Sequence, residues 1–308
     1  MNSEFRSGYI TLVGVPNAGK SSLVNALVKE SVSIVTSKPQ TTRKRTMGIL
    51  TEADKFQMIF VDTPGVIESD DGLNPYLKSE LSRALEDVDV VVCAIGPWEF
   101  KNKDMPWAVK LGQTLEAQPI YILTQTDTLK GGAEQLEEIE KKFKNFFEKN
   151  PPHLLRTSSR TSLGLVNLKN LILERLPEGP QYYETDVFTP QTMREITAEI
   201  VRKHCFEQLH QELPYGLAVL VQSYDEGGQR GPPSSQIIKI GADILVSRES
   251  HKPMVIGKGA QVLKQIGVRS RFELEKLTGQ KVFLKLHVVV KQNWLKDKTY
   301  MEELGYGN

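Results

Sequence analysis

The segment Gly14-Val15-Pro16-Asn17-Ala18-Gly19-Lys20-Ser21 carries the first recognisable chemistry in this chain. Its spacing of glycine, glycine-lysine and serine fits the phosphate-binding P-loop. The β-rich run Tyr9–Val15 leads into it, and a helical pattern over Lys20–Lys29, which includes Ser22, leaves it. Two glycines permit a tight loop whose backbone amides turn inward, and those amides together with the helix N-terminus attract phosphate oxygens. Lys20 would reach the β- and γ-phosphates of a nucleotide, and the Ser21 hydroxyl would coordinate Mg²⁺. Further on, Asp62-Thr63-Pro64-Gly65 ends a strand-length apolar run, Gln57–Val61. An aspartate at the end of a strand beside a P-loop is placed to hold the Mg²⁺ shell, and Gly65 leaves its amide free to approach a γ-phosphate. Between these motifs lies the polar, aperiodic stretch Lys38-Pro39-Gln40-Thr41-Thr42-Arg43. A threonine here, Thr42, would meet Mg²⁺ only when a γ-phosphate draws the loop in, an order–disorder switch.

These residues need a scaffold, and the first half of the chain has the pattern of one. Apolar runs of strand length at Tyr9–Val15, Gln57–Val61, Val88–Ile95, Pro119–Leu123 and His153–Ser158 alternate with helical patterns over 73–86, 101–116, 132–149 and 165–176. Alternating strands and helices imply a mostly parallel sheet covered on both faces. Leu176-Pro177-Glu178-Gly179-Pro180 then ends the helix. We expect one domain over 1–176, a linker over 177–190 and a second domain over 191–308. The second reads as a helix (191–211), two strands (216–224 and 236–247) around a polar Gly/Pro-rich loop (225–235), two helices flanking Gly257-Lys258-Gly259-Ala260, and a strand (281–291).

Composition bounds the rest. A chain of 308 residues suits two ordinary domains, and 39% hydrophobic with 25% charged residues excludes wholesale disorder. Two cysteines cannot make a disulfide framework or a structural zinc site, and the five histidines lack ligand spacing. Without an apolar run of membrane length, and with no apolar core in Met1–Arg6, the protein is expected to be cytoplasmic. Net charge is +1, yet 236–298 holds 13 basic and 5 acidic side chains, against 22 of each in 1–176. A basic segment marks a polyanion partner or a solvated helix face.

The spacing of the P-loop, Gln40-Thr41-Thr42-Arg43 and Asp62-Thr63-Pro64-Gly65 resembles the Era family of bacterial GTPases. Leu176–Pro180, Glu212-Leu213-Pro214-Tyr215, Val255-Ile256-Gly257-Lys258 and Leu304-Gly305-Tyr306 extend the likeness over nearly the whole chain. The resemblance implies an α/β fold: a P-loop, Ras-like GTPase domain with a mostly parallel sheet and helices on both faces, followed by an α+β KH domain of the bacterial type. It implies GTP/GDP and Mg²⁺ as cofactors. Partners would be the small ribosomal subunit and the 3′ end of its RNA, with peripheral association at the inner membrane. An alternative is a nucleotide-sensing RNA-binding scaffold with weak GTP binding and little turnover; a base-indifferent NTPase is a third reading.

Three positions depart from that family. Where it has Asn-Lys-X-Asp for guanine recognition, this chain reads Thr124-Gln125-Thr126-Asp127. Asp127 can still accept the guanine N1–H and N2–H₂ bonds, which adenine cannot offer. Thr124 cannot reproduce the Asn amide and Gln125 lacks the Lys stem, so affinity should fall by one or two hydrogen bonds at roughly 0.5–1.5 kcal/mol each. Ser158-Ser159-Arg160 stands where the family has Ser-Ala and a variable residue, a mild change because backbone amides make most of that base contact. Ala260 closes the Gly-X-X-Gly turn that grips single-stranded RNA in KH domains, tolerable unless the position needs positive φ. Around it, Lys252, Gly257, Lys258, Gly259, Lys264, Arg269 and Arg271 are the expected RNA contacts. Trp98, Trp107 and Trp294 read as packing residues.

Hydrolysis is expected to be slow. Ras-like GTPases orient the attacking water with a glutamine after the Asp-X-X-Gly motif; here that position is Val66. In related GTPases with an apolar residue there, an asparagine at the position of Asn17 helps hold a potassium ion against the phosphates, stabilising the transition state electrostatically. The expected catalytic group is therefore Asn17, Lys20, Thr42 and Gly65.

Overall fold

The computed structural model describes residues 5–36, 38, 41–65, 74–86, 88–102, 104–147, 149–209, 213–226, 237–294, 297–304 and 306. Pro39, Gln40 and Val66, and most of the loop read over 225–235, lie outside the described residues. The chain divides into two compact units, Met1–Pro190 and Gln191–Asn308.

The first unit runs β1 (Arg6–Val13), α1 (Lys20–Val28), β2 (Thr46–Glu52), β3 (Phe56–Asp62), α2 (Asn74–Glu86), β4 (Val90–Ile95), α3 (Trp107–Gly112), β5 (Ile120–Leu123), α4 (Gly132–Phe146), β6 (Leu154–Arg156) and α5 (Leu165–Arg175). Its sheet has the order β2-β3-β1-β4-β5-β6. All pairings are parallel except β2 with β3, where Thr46 faces Asp62 and Glu52 faces Phe56. Segment 46–52 has no strand-length apolar run, because Thr46, Gly48, Thr51 and Glu52 interrupt it. Pairing with β3 makes it an edge strand.

Alternation along β4 shows why both faces are covered. Val90, Val92 and Ala94 enter one core with Leu23, Leu27, Leu168 and Ile172 of α1 and α5. Val91, Cys93 and Ile95 enter the other with Leu81, Val109, Ile139 and Phe143 of α2, α3 and α4. The helix expected over 101–116 is instead a 3₁₀ turn, Pro97–Lys101, and the six-residue α3, since Pro106 can begin a helix but cannot continue one. Segment 177–190, expected as a linker, is laid along the first unit. Ser7 N–H donates to the Pro177 carbonyl (3.2 Å) and Ile49 N–H to the Phe188 carbonyl (2.9 Å). Gln57, wholly buried, accepts from Tyr182 and Tyr183 N–H at 2.8 and 2.9 Å.

The second unit runs α6 (Met193–Gln208), β7 (Leu217–Asp225), β8 (Ile237–Val246), α7 (His251–Ile256), α8 (Gln261–Thr278), β9 (Lys281–Val290) and α9 (Lys298–Glu303). Thr192 caps α6 in a reciprocal capping box with Glu195. The sheet order is β7-β8-β9, with β7–β8 antiparallel and β8–β9 parallel. Ala242, Ile244 and Val246 of β8 pack with Val201 and Cys205 of α6 and Ile266 of α8 in one core.

Candidate functional site

Because β1, β4 and β5 are parallel neighbours, the turns that follow them open at the same edge of the sheet. That edge is where ligands bind in such folds. Lys20, 5% exposed, donates from Nζ to the Gly14 carbonyl at 2.9 Å and the Val15 carbonyl at 3.1 Å. Burial pulls its ammonium down to about 8, against the opposing pull of Asp62 and Glu99. Ser21 Oγ and Thr42 Oγ1 are 2.8 Å apart, and Thr42 Oγ1 donates to Asp62 Oδ2 at 3.4 Å. Asp62 is fully buried, its other oxygen has no hydrogen-bond partner among the described residues, and burial raises its pKa despite Lys20 and three nearby hydroxyls. An unmet buried carboxylate oxygen beside two hydroxyls is a hard-oxygen set, the donor type Mg²⁺ prefers. Gly65 completes the phosphate end: a Cβ there would lie 2.4 Å from Pro16 N, so the turn can approach the P-loop only with glycine.

The cleft, about 390 Å³, is lined by the P-loop, by Ile34–Thr36 and Thr41-Thr42, by Gly65, and by Trp98 and Gln125. Trp98 is therefore a wall of this cleft rather than a packing residue; Trp107 does pack into the second core and Trp294 is buried. Beside Trp98, Glu99 accepts the Gly96 N–H at 2.7 Å, and burial raises its carboxyl to about 7. Sequence reasoning missed both, because nothing local marks the turn after β4 as part of the site.

At the base end, the two departures do more than the sequence suggested. Thr124 Oγ1 reaches the Ala18 carbonyl at 2.7 Å and the Ile95 carbonyl at 3.0 Å. Gln125, at φ 51°, donates from Nε2 to the Asn17 carbonyl at 2.9 Å. Both side chains thus tie the turn after β5 to the P-loop. Ser158, buried after β6, donates to Asp127 Oδ1 at 2.6 Å, which leaves Oδ2 for a ligand. Ser159 and Arg160 follow on the same turn, Ser159 half-buried and Arg160 exposed.

The comparisons agree with this geometry. A family described as 50S ribosome-binding GTPase matches residues 9–126, and a KH domain family matches 212–295. GTPase Era of Clostridium botulinum (strain Hall) is 36% identical over 304 residues, covering 99% of both chains. GTPase Era of Lactobacillus helveticus is 36% identical over 98% of this chain and 97% of its own. Among solved structures, Era in complex with MgGDPNP and nucleotides 1506–1542 of 16S ribosomal RNA superposes with a TM-score of 0.89 at 31% identity, covering 99% of this chain and 100% of that one. A variant Aquifex aeolicus Era bound to GDP·AlF₄⁻ gives 0.88, also at 31%, over 98% and 100%. This chain belongs to the Era family of GTPases.

In the KH-matching unit, the turn expected to meet RNA, Gly257–Ala260, joins α7 to α8. Gly257 has φ 74° and its missing Cβ would fall 2.5 Å from Val262. Gly259 and Ala260 are both left-handed, at φ 58° and 60°, so Ala260 does occupy a position that disfavours a side chain. Lys252, Lys258, Lys264 and Arg271 are exposed. At about 100° per residue, Lys264 and Arg271 lie on one flank of α8 and Arg269 on the other, where it pairs with Glu207 of α6 at 3.6 Å. Arg269 is thus turned toward α6, apart from the other expected phosphate contacts.

Proposed function

We propose that this GTPase binds GTP and GDP with Mg²⁺ in the cleft around Lys20. Through the Gly257–Ala260 turn it grips the 3′ end of small-subunit ribosomal RNA, and so assists assembly of the small ribosomal subunit in the cytoplasm. The observation that carries the nucleotide half is the Ser21–Thr42–Asp62 oxygen set beside the buried Lys20. The solved Era complex with MgGDPNP and 16S ribosomal RNA supports both halves by relation.

Lys20, itself buried, would neutralise phosphate charge away from bulk water, where a cation acts more strongly. Ser21, Thr42 and Asp62 would hold Mg²⁺, which would supply electrophilic stabilisation of phosphate charge. Gly65 offers its amide to the γ-phosphate, and Asp127, oriented by Ser158, reads the guanine edge. Asn17, left-handed at φ 64° at the mouth of the cleft, would help hold a potassium ion where an arginine finger places its charge.

The test is dissociation constants for guanine and adenine nucleotides together with multiple-turnover phosphate release. Release is measured with and without a 3′-end ribosomal RNA oligonucleotide, in potassium and in sodium at equal ionic strength. Guanine preference, faster release with RNA, and a potassium advantage erased by Asn17→Ala are expected. Equal rates in the two salts would remove the ion-binding role, and indifference to the base would remove the Asp127 assignment. The Thr124→Asn, Gln125→Lys double variant should gain less than tenfold in GDP affinity, because both native side chains already tie the base loop to the P-loop.

A further inference from the structure

Glu80 sits in the middle of α2 with its side chain 7% exposed. Carboxylates are buried this deeply almost only when paired. Its Oε2 accepts from the main-chain N–H of Arg45 at 3.4 Å and from Arg45 Nε at 3.2 Å. Its Oε1 lies 3.6 Å from Arg83 Nη1, one turn along the same helix. The carboxylate therefore holds both the backbone and the guanidinium of one residue.

Arg45 immediately precedes β2, whose first residue, Thr46, is in register with Asp62. Three residues upstream is Thr42, with its hydroxyl on Ser21 and Asp62. The helix bearing Glu80 is the next described element after the Asp62–Gly65 turn. The Arg45–Glu80 pair thus joins the two chain segments that flank the phosphate end of the cleft. Upstream, Thr41 Oγ1 donates to the Lys38 carbonyl at 2.6 Å.

We propose that Glu80 is a positioning residue which, through Arg45, holds the Thr42 loop against the phosphate end and so sets the preference of this protein for GTP over GDP. A ligand shifts a two-state element only by its differential affinity for the two states. A triphosphate with its cation engages Thr42 and needs the loop closed; a diphosphate does not. A latch favouring the closed loop raises affinity for the first and leaves the second unchanged. The proposal rests on the assignment of Thr42 above, and the experiment separates the two.

Dissociation constants for Mg²⁺-GMPPNP and Mg²⁺-GDP are measured by calorimetry on the full chain and on Glu80→Leu, Glu80→Gln, Arg45→Ala, the Glu80→Leu/Arg45→Ala double variant and Thr42→Ala. Hydrogen exchange over 41–46 is followed in nucleotide-free protein. Glu80→Leu should weaken GMPPNP binding about tenfold, with GDP within about twofold. The double variant should be no worse than either single change, Glu80→Gln should fall between, and exchange over 41–46 should quicken. Equal weakening of both nucleotides, or none, overturns the latch. If Glu80→Leu does not fold, Glu80→Gln decides on the same criteria. If Thr42→Ala leaves the GMPPNP-to-GDP ratio unchanged, the proposal falls with the Thr42 assignment. If Thr42→Ala raises the ratio of the GMPPNP to the GDP dissociation constant and the Glu80 variants do not, the latch alone is wrong.

Discussion

The P-loop between β1 and α1 encloses its lysine, whereas the turn between α7 and α8 holds its lysine out. Lys20 is buried and bonded to two carbonyls of its own loop; Lys258 is exposed, as are Lys252, Lys264 and Arg271 around it. Both turns use positive-φ backbone, at Asn17 and Gly19 in one and at Gly257, Gly259 and Ala260 in the other. The difference lies in desolvation. An enclosed cation is uncomfortable until an anion arrives, so a few contacts give strong and selective binding. Exposed cations act through counterion release, each weakly, and their sum falls as salt rises. Under the proposed function, one unit recognises a single small anion and the other tracks a chain of phosphates.

The largest effect that would break this contrast is at Lys20. Lys20→Ala should lower GDP affinity on the order of a hundredfold or more, while the melting temperature of the nucleotide-free protein holds or rises because a buried cation is gone. Calorimetry and thermal melts read the two quantities, and near-parental GDP binding would end the assignment. Next is Lys258→Ala, which should weaken single-stranded RNA binding several-fold and reduce the slope of log K against log salt by about one. An unchanged slope would take the turn out of the RNA groove.

Glu99 sharpens the contrast through pH, since its carboxyl is buried close enough to Lys20 to interact with it. Its folded pKa is raised to about 7 from an ordinary 4.5, so the native state binds the proton more tightly than the unfolded chain. That stability is fully present below pH 4.5 and is lost as pH rises through 7. Melting of the nucleotide-free parent should therefore decline by a few degrees more than that of Glu99→Gln between pH 5 and pH 8. Parallel curves would place the carboxyl in water. The smallest effect is at the open turn: Ala260→Gly should stabilise the protein by about 0.5–1 kcal/mol, read by denaturant unfolding, because glycine takes φ near 60° without a Cβ clash.

Wherever the chemistry is local, the sequence is enough. The P-loop, the Asp62–Gly65 turn and the Gly257–Ala260 turn each work through residues a few positions apart, beside a strand or helix whose own periodicity announces it. The order of strands and helices in both units follows from the same alternation, with the edge strand β2, the broken helix near Pro106 and the short α9 as exceptions. Thr124 and Gln125 show where that legibility ends. Read along the chain they are losses from a base-recognition motif; in the fold they tie that motif to the P-loop.

Those ties span 106 and 108 residues, and the Arg45–Glu80 pair spans 35. Trp98 joins the cleft because β4 lies beside β1, and Arg269 turns from the other basic residues because α6 packs against its flank of α8. The sequence alone determined which segments carry phosphate-binding spacing, and the tertiary structure decided which side chains meet across them. Short-range spacing is written into the chain by backbone geometry, while the partners of a long-range pair are set by strand order and packing, which no local pattern encodes.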